Sequence, residues 1–226
     1  SRFLDVGCGQ GGVVLETLER GADAYGIEPS QDYVQTAQMR VREDGHDPDR
    51  ISVGRGESLP FPSSSFDYVS NLYVLEHVQN SEPILEEIYR VLRPGGELHL
   101  RCENYLAFRE QHYRVPWIPL LPKTLGSIYL KAIGRDPSFL NNYVFYTTYP
   151  QVVRTASEVG FENTTHQRTL EKVESLSGIE SSSSQMISRF VEPIPPSLRR
   201  KAASAILYLR NLFAVGTELH LVKPEF

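Results

Sequence analysis

The chain has 226 residues, of which 40% are hydrophobic and 23% are charged, and its mean hydropathy is −0.31. This is an ordinary globular composition, with enough apolar residues for a core and unlike that of a disordered or membrane-spanning chain. Lys and Arg total 23 against 28 Asp and Glu, which gives a formal net charge of −5, and no basic stripe is present. We therefore expect no nucleic-acid partner.

The chain contains two cysteines, Cys8 and Cys102, and both fall at the ends of predicted strands. This excludes a disulfide framework and favours a reducing compartment, so we expect a cytoplasmic protein. The sequence enters a strand pattern at Phe3 without the pattern of a signal peptide, and we expect further residues to precede Ser1. No run of 18 apolar residues predicts a transmembrane helix.

Short β-rich runs alternate with helical periodicity over the first hundred residues, which predicts βαβ units and a parallel sheet with helices on both faces. The predicted strands are Phe3–Val6, Ala24–Ile27, Ile51–Val53, Phe66–Ser70 and Glu97–Cys102. Helices are predicted at Val13–Leu18 and at Glu82–Leu92, where an apolar face recurs every three or four residues. Pro94-Gly95-Gly96 ends the second of these helices.

The pattern changes after Cys102. Residues 103–149 are rich in aromatic residues and prolines and lack clean periodicity, so we predict an insertion over the sheet. The elements predicted beyond it are a helix at Pro150–Val159, a strand at Phe161–Thr165, a loop at Ser181–Ser184, an amphipathic helix at Ser197–Phe213 and a last strand at Glu218–Val222.

A glycine-rich loop, Gly7–Gly12, connects the first strand to the first helix, and Glu28 ends the second strand about 20 residues later. Glycines let backbone approach a ligand, and a carboxylate at the next strand end accepts ribose hydroxyls, so the loop predicts a nucleoside-bearing cofactor. Asp5 would oppose the pyrophosphate of a dinucleotide but attract the ammonium and sulfonium of S-adenosylmethionine. Its alternative role is to hydrogen-bond loop amides without contacting ligand.

Five motifs occur in order over the first hundred residues: Leu4–Gly11, Gly26–Ser30, Ser58–Asp67, Leu75–Val78 and Arg90–Gly96. With these motifs the chain resembles the class I S-adenosylmethionine-dependent methyltransferases, within them the quinone-biosynthesis (methyltransferase type 11) subgroup. The resemblance covers less than half of the chain. It implies a doubly wound, Rossmann-like α/β sheet of seven strands whose last strand is antiparallel, with helical and aromatic insertions.

The resemblance also implies a set of cofactor-binding residues. These are Asp5, Gly7, Cys8 and Gly9 at the methionine end, Glu28 at the ribose, Pro29 with Ser30, Gly56 and Glu57 around the adenosine, and Asn71, Leu72 and Tyr73 along the inner side. Arg55 stands where the family commonly has an acid that receives the adenine amino group. Because Arg offers no acceptor, that contact falls to backbone carbonyls and Glu57, or Arg55 points outward.

Methyl transfer requires neither a metal nor a covalent intermediate, because the sulfonium already makes the methyl group electrophilic. The six histidines show no ligand spacing with cysteines or acids, so no metal site is predicted. For a hydroxyl acceptor the candidate catalytic residues are His77, then His112 and Tyr113, each of which has packing as its alternative role. Glu103 and Asn104 follow the fifth strand and are expected to orient the acceptor.

The predicted function is methyl transfer from S-adenosylmethionine to a small-molecule or lipid- or sugar-linked acceptor, with O-methylation preferred to C-methylation of a quinone-like ring. A nicotinamide-dinucleotide oxidoreductase would need a catalytic Tyr/Lys pair at helical spacing, which is not found; a non-catalytic cofactor-binding domain is the other alternative. One domain, 1–226, is predicted: a cofactor-binding half (1–102), an acceptor-covering insertion (103–149) and a C-terminal half (150–226) with a helical insertion at 170–215. Helix 197–213 either contacts a membrane surface or caps the fold.

Overall fold

A seven-stranded sheet organises the residues that the computed structural model describes, which are 1–165, 167–168 and 196–225. The strands among these described residues are β1 (Arg2–Val6), β2 (Asp23–Glu28), β3 (Ile51–Val53), β4 (Phe66–Leu72), β5 (Leu92–Glu103), β6 (Arg109–Glu110), β7 (Val115–Pro116), β8 (Glu162–Asn163) and β9 (Gly216–Val222). The main sheet has the order β3-β2-β1-β4-β5-β9-β8, and β6 pairs with β7 separately. Strands β1 to β5 are parallel and β9 is antiparallel to both neighbours, which confirms the predicted fold.

Helices cover both faces of this sheet. They are α1 (Gly12–Glu19), α2 (Gln31–Glu43), α3 (Glu82–Val91), α4 (Lys123–Ala132), α5 (Ser138–Tyr143), α6 (Tyr149–Val159) and α7 (Pro196–Phe213). The four helices predicted with bounds are confirmed to within one residue. The predicted strand Phe161–Thr165 is shorter in the structure and spans Glu162–Asn163. Thr164 still donates its amide to the carbonyl of His220, whereas Thr165 bonds the His220 amide through its side-chain hydroxyl. The loop Ser181–Ser184 and most of the insertion 170–215 lie outside the described residues.

Strand β5 begins earlier than the sequence predicted. Leu92 already pairs with Phe66, and the register then shifts between Phe66 and Tyr68. Gly95, with φ of 74°, donates its amide to the carbonyl of Lys223, so the glycines form an irregular strand start that also holds the chain after β9. The Pro-Gly-Gly segment therefore ends α3, as predicted, and starts the next strand at once.

Two apolar clusters lie on opposite faces of the sheet because successive side chains of a strand alternate. Leu4 and Val6 of β1 face α3 and α6, and Phe3 faces α1 and α2. The insertion has a third cluster of its own, formed by Tyr105, Val115, Trp117, Leu130, Leu140 and Val144. Both large clusters end at the carboxyl edge of β1, β2 and β4, where ligands of open α/β sheets bind.

The insertion is attached to the sheet by backbone hydrogen bonds at its two ends. The Tyr105 amide donates to the carbonyl of Thr147 at 2.9 Å, and the Thr147 hydroxyl donates to that of Glu103 at 2.7 Å. The Phe145 amide donates to the carbonyl of Glu76 at 2.7 Å. These bonds fix the insertion beside the segment that follows β4.

Helix α7 packs on the C-terminal half through Leu207, which is buried, and through an edge contact between Tyr149 and Tyr208. Leu209 and Phe213 are exposed. Among the described residues, no helix has the length and apolar character needed to cross a bilayer. Contact between residues 197–213 and a membrane surface stays a prediction.

Candidate functional site

The glycine loop turns the chain from β1 into α1 at the carboxyl edge of the sheet. Gly7 has φ of +81°, and its amide donates to the carbonyl of Ile27 at 2.8 Å. A Cβ at Gly7 would lie 2.3 Å from Cγ2 of Val74. Position 7 therefore requires glycine both for its dihedral angle and for its closeness to the segment after β4.

Glu28 joins the two loops that border the site. One carboxylate oxygen accepts from the Gly9 amide and the other from the Ser30 amide, each at 3.0 Å, and the residue is buried. Each carboxylate oxygen has capacity for a second hydrogen bond, so both can still accept from the hydroxyls of a ribose. The side chain thus fixes the loop geometry and offers a ligand contact.

Asp5 lies beneath the glycine loop. The Ser70 hydroxyl donates to its Oδ1 at 2.5 Å, and the residue is 3% exposed. Burial raises the pKa of Asp5 to about 6, and the nearby charge of Glu28 adds to this rise. At neutral pH the carboxylate therefore remains charged at an energetic cost, and a cation bound nearby would offset that cost.

Asp5→Asn changes the free energy of unfolding of the ligand-free protein, and we expect this change to be about 2–3 kcal/mol more stabilising at pH 7.5 than at pH 4. A carboxyl whose pKa is higher in the folded than in the unfolded state binds protons more tightly when folded. Its stabilising contribution is therefore present below the unfolded pKa of about 4 and is lost as the pH rises through about 6. Urea unfolding of both proteins across this pH range measures the difference; parallel curves would contradict it.

A cleft of about 700 Å³ opens next to Glu28, a size suited to a nucleoside-bearing cofactor with room for a second ligand. Its walls on the cofactor side include Gly7, Glu28, Pro29, Ser30, Tyr33, Gly54, Arg55, Gly56 and Glu57. Its other walls include Tyr73, Val74, His77, Phe139, Asn142 and Tyr143. Residues of the insertion therefore share one cleft with the glycine loop.

The predicted cofactor residues divide into two groups. The predicted residues that line the cleft are Gly7, Glu28, Pro29, Ser30, Gly56, Glu57 and Tyr73. Arg55 lines it as well, so its guanidinium is available to a ligand even though it has no acceptor for an adenine amine. The others, Asp5, Cys8, Gly9, Asn71 and Leu72, are not among the residues that line it.

Cys8 belongs to the core rather than to the cleft. Its Sγ lies 2.7 Å from where a Cβ of Gly26 would be, and burial raises the pKa of the thiol, so the side chain is unreactive and fills space between β2 and the loop. We therefore correct the prediction for Cys8: any cofactor contact is left to its backbone. Both cysteines are free and buried.

Asn71 is fully buried and only half satisfied. Its Nδ2 donates to the carbonyl of Val6 at 3.0 Å, whereas its Oδ1 has no hydrogen-bond partner among the described residues. A buried unpaired acceptor is costly unless a ligand supplies a donor. Together with Asp5, it provides negative polarity beneath the glycine loop, which fits the ammonium of S-adenosylmethionine.

A second polar group forms at the far end of the cleft, where a 3₁₀ turn, Leu75–His77, follows β4. One ligand atom each from Glu76, His77 and His112 lies within 4.8 Å of the others. The His77 and His112 rings meet edge to face at 5.5 Å between centroids, and both contact Phe139. The sequence predicted no metal cluster because His112 belongs to the insertion and forms no short motif with the other two.

Hydrogen bonds define the protonation of both rings. His77 Nδ1 lies 2.7 Å from the carbonyl oxygen of Tyr143, and His112 Nδ1 lies 2.9 Å from a carboxylate oxygen of Glu110. Because both partners are acceptors, Nδ1 donates in each case and Nε2 of a neutral ring keeps its lone pair. Burial lowers the pKa of His112, but the carboxylate of Glu110 raises it by more.

Carboxylates near this group are strongly perturbed. Glu76 is fully buried, and its oxygens have no hydrogen bond of normal geometry among the described residues. Burial raises the pKa of Glu76, whereas the backbone amides of Glu76 and Glu103 favour the charged form and act in the opposite direction. Burial, with the charge of Glu76, raises the pKa of Glu103 to about 7. Glu103, which was predicted to orient the acceptor, is near enough to Glu76 and His112 for their charges to affect its pKa, but it is not among the residues that line the cleft.

The structure does not bring Tyr113 or Asn104 to the cleft. The Tyr113 hydroxyl donates to the carbonyl of Asp136 at 2.8 Å and accepts from the Leu140 amide at 3.2 Å. The Asn104 amide group donates to carbonyls at the C-terminal end of α7, the nearest being that of Ala214 at 2.8 Å. The Tyr113 bonds lie within the insertion, and the Asn104 bonds join the insertion to the end of α7. The catalytic role predicted for Tyr113 and the acceptor-orienting role predicted for Asn104 therefore have no geometric support.

Comparisons with known proteins agree with this geometry. Residues 4–100 match the family model described as a methyltransferase domain. A ubiquinone/menaquinone biosynthesis C-methyltransferase from Geotalea daltonii is 28% identical over 173 residues, 73% of this chain and 72% of the relative. A ubiquinone biosynthesis O-methyltransferase from Agrobacterium fabrum is 38% identical over 96 residues, 42% of this chain and 38% of the relative.

The solved structure of phosphoethanolamine N-methyltransferase 2 from Haemonchus contortus with S-adenosyl-L-methionine superposes with a TM-score of 0.58 and 21% identity, covering 99% of this chain and 49% of that one. This likeness shows the fold. Three further curated relatives are matched over 57%, 35% and 50% of their length, so the chain spans about half of them. Over residues 4–100, which are less than half of the chain, the sequence is therefore similar to a methyltransferase domain, and the relatives that it resembles include C- and O-methyltransferases of ubiquinone biosynthesis.

Proposed function

We propose that this chain transfers a methyl group from S-adenosylmethionine to a hydroxyl group of a small-molecule or lipid- or sugar-linked acceptor. The observation that carries the proposal is the single cleft that runs from Gly7 and Glu28 to His77 and the insertion residues Phe139 and Tyr143. When bound, S-adenosylmethionine supplies a methyl group that its sulfonium sulfur makes electrophilic. The protein then has to align the reactants and exclude water. A cytoplasmic location is part of the proposal.

On the cofactor side, the chain supplies binding and orientation. The carboxylate of Glu28 accepts the ribose hydroxyls while its bonds to the Gly9 and Ser30 amides keep both loops in place. The charge of Asp5 and the unpaired Oδ1 of Asn71 attract the ammonium group from below. These residues would hold the cofactor at the glycine loop, where its methyl group would be available to an acceptor bound in the same cleft.

On the acceptor side, the chain must remove a proton from the hydroxyl group as the new carbon–oxygen bond forms and the carbon–sulfur bond breaks. His77 Nε2 lies in the cleft wall with its lone pair free, because Tyr143 holds the opposite nitrogen. His77 therefore stays the candidate general base, and Phe139 and Tyr143 form an aromatic wall against water. His112 and Glu103 complete the polar surroundings.

C-methylation of a quinone-like ring is the second candidate, because the C-methyltransferase from Geotalea daltonii aligns over 73% of the chain. The polar end of the cleft favours a hydroxyl acceptor. Transfer of a ¹³C-labelled methyl group, followed by NMR of the product, distinguishes the two: an oxygen-bound methyl supports our proposal, and a carbon-bound methyl replaces it with the second candidate.

Calorimetry of the purified chain tests the cofactor first. We expect binding of S-adenosylmethionine and S-adenosylhomocysteine and no heat with a nicotinamide dinucleotide; the reverse result would support an oxidoreductase. A transfer assay with labelled S-adenosylmethionine then uses a panel of phenols, vicinal diols and hydroxyl-bearing lipids. Binding without transfer to any acceptor in the panel or in fractionated lysate would support a non-catalytic cofactor-binding domain.

A further inference from the structure

We propose that Glu76, His77 and His112 bind a divalent transition-metal ion at the acceptor end of the cleft. The ion would hold the oxygen of the acceptor hydroxyl. The binding site stands on the geometry alone, whereas its role in holding the acceptor rests on the function proposed above. With the ion bound, His77 is a ligand rather than a general base, and the ion lowers the pKa of the hydroxyl that it coordinates.

The first observation is a buried carboxylate that has no hydrogen bond of normal geometry within the described part of the chain. Glu76 is 0% exposed, and neither of its oxygens has a hydrogen-bond partner among the described residues. Removing an ion from water is expensive, so buried carboxylates in proteins are normally paired, hydrogen-bonded or bound to metal. Both oxygens of Glu76 remain available, which suits a metal ligand.

The second observation is the orientation of the two imidazoles. Metal-binding histidines generally donate their other ring N–H to a carbonyl or carboxylate, which fixes the ring and its tautomer. His77 makes this bond to the carbonyl of Tyr143 and His112 makes it to the carboxylate of Glu110. Each ring is therefore held with Nε2 as its free nitrogen, and these two bonds come from different parts of the insertion.

The ligand types indicate which ions would bind. Two imidazoles and one carboxylate suit Zn²⁺, Mn²⁺ or Fe²⁺, whereas Mg²⁺ and Ca²⁺ prefer oxygen ligands alone. Three protein ligands leave coordination positions open for water or substrate, as in catalytic metal sites. Because His77 lines the cleft, the open side of such an ion is accessible from it, and Glu103 supplies a further carboxylate nearby.

Another group of the same residue types provides a matched control. His99, Glu218 and His220 also have ligand atoms within 4.8 Å of one another. There the glutamate side chain is 53% exposed and already pairs with His99 Nε2 at 3.2 Å, and the two rings stack at 4.8 Å. Without a buried unpaired carboxylate, this group gives no reason to expect an ion.

The test is the binding of Mn²⁺ and Zn²⁺ to the full chain after metal removal, followed by calorimetry and, for Mn²⁺, by electron paramagnetic resonance. We expect one ion per chain. Glu76→Gln and His112→Gln should each weaken binding on the order of 100-fold, since each removes a direct ligand, whereas His99→Gln should leave it unchanged. Circular dichroism and thermal melting show whether each variant is folded.

Failure of the site and failure of the proposed function give different results. The site would be overturned if the unsubstituted chain, Glu76→Gln and His112→Gln bound the ion equally well, or if the unsubstituted chain bound no ion. A proton shared between Glu76 and His112 would then explain how the buried carboxylate is stabilised. Ion binding without binding of S-adenosylhomocysteine would uphold the site and remove the proposed function. Transfer that is lost with a chelator and restored by Mn²⁺ supports the role in holding the acceptor, and full transfer without metal overturns that role.

Discussion

Gly7→Ala is expected to prevent cofactor binding and to lower the free energy of unfolding by about 2–5 kcal/mol. Two effects add. The backbone at position 7 has φ of +81°, which costs a residue with a Cβ about 1–2 kcal/mol. The new Cβ would also lie 2.3 Å from Val74 Cγ2, so the segment after β4 must move, and with it the cleft wall. Urea unfolding and calorimetry with S-adenosylhomocysteine measure the two consequences.

Gly9→Ala is the matched control for this effect. Gly9 also has positive φ, +52°, but a Cβ there would meet nothing within 4 Å. It should therefore show the dihedral penalty alone, about 1–2 kcal/mol. The double variant Gly7→Ala/Val74→Ala removes the clash and should recover part of the lost stability compared with the same Val74 substitution alone. Equal losses for Gly7→Ala and Gly9→Ala would show that the contact with Val74 is unimportant.

Glu28→Gln should weaken binding of S-adenosylhomocysteine by about 100-fold, or about 2.7 kcal/mol, and should also destabilise the ligand-free chain by about 1–3 kcal/mol. The neutral side chain has one oxygen acceptor in place of two and turns an N–H group toward either the Gly9 or the Ser30 amide, both of which donate to the carboxylate now. It also loses the charge that strengthens hydrogen bonds to ribose hydroxyls. Calorimetry of the folded variant gives the affinity.

Glu43→Gln makes the same chemical change at an exposed position, the last residue of α2, and should alter neither affinity nor stability measurably. If both variants bind S-adenosylhomocysteine as tightly as the unsubstituted chain, Glu28 holds the loops without contacting ligand. If Glu28→Gln loses affinity but keeps its stability, the bonds to the two amides contribute less than their geometry suggests.

The cofactor half was predictable because its signals are local. Each parallel strand is a short apolar run, α3 shows its buried face at helical spacing, and a glycine with positive φ is needed where β1 turns into α1. The carboxyl ends of neighbouring parallel strands meet at one edge, so Gly7 and Glu28 could be placed together without coordinates. Side-chain direction could not be derived in the same way: the resemblance assigned Cys8 to the cofactor site through the glycine-loop motif, and the structure shows that its side chain packs in the core, which leaves a backbone contact as the prediction.

The acceptor half was less predictable because its contacts are distant in sequence. Helices α4 and α5 are short and several of their apolar residues are exposed, among them Ile128 and Phe139, so their periodicity is weak. The group of Glu76, His77 and His112 exists only because the insertion folds back on the turn after β4. No spacing rule connects residues brought together by a tertiary contact, and the bonds that commit Tyr113 and Asn104 to structural roles were hidden for the same reason.

Because the His77 Nδ1 atom is hydrogen-bonded to the carbonyl of Tyr143, the choice of which His77 nitrogen carries the proton depends on the position of the insertion. If the insertion lifts away to admit a bulky acceptor, Nδ1 of His77 loses its acceptor and the ring is free to exchange tautomers. Closure restores the proton to Nδ1 and returns the lone pair to Nε2. The imidazole nitrogen shifts in an NMR spectrum should therefore report opening and closing of the cover directly, without any reaction taking place.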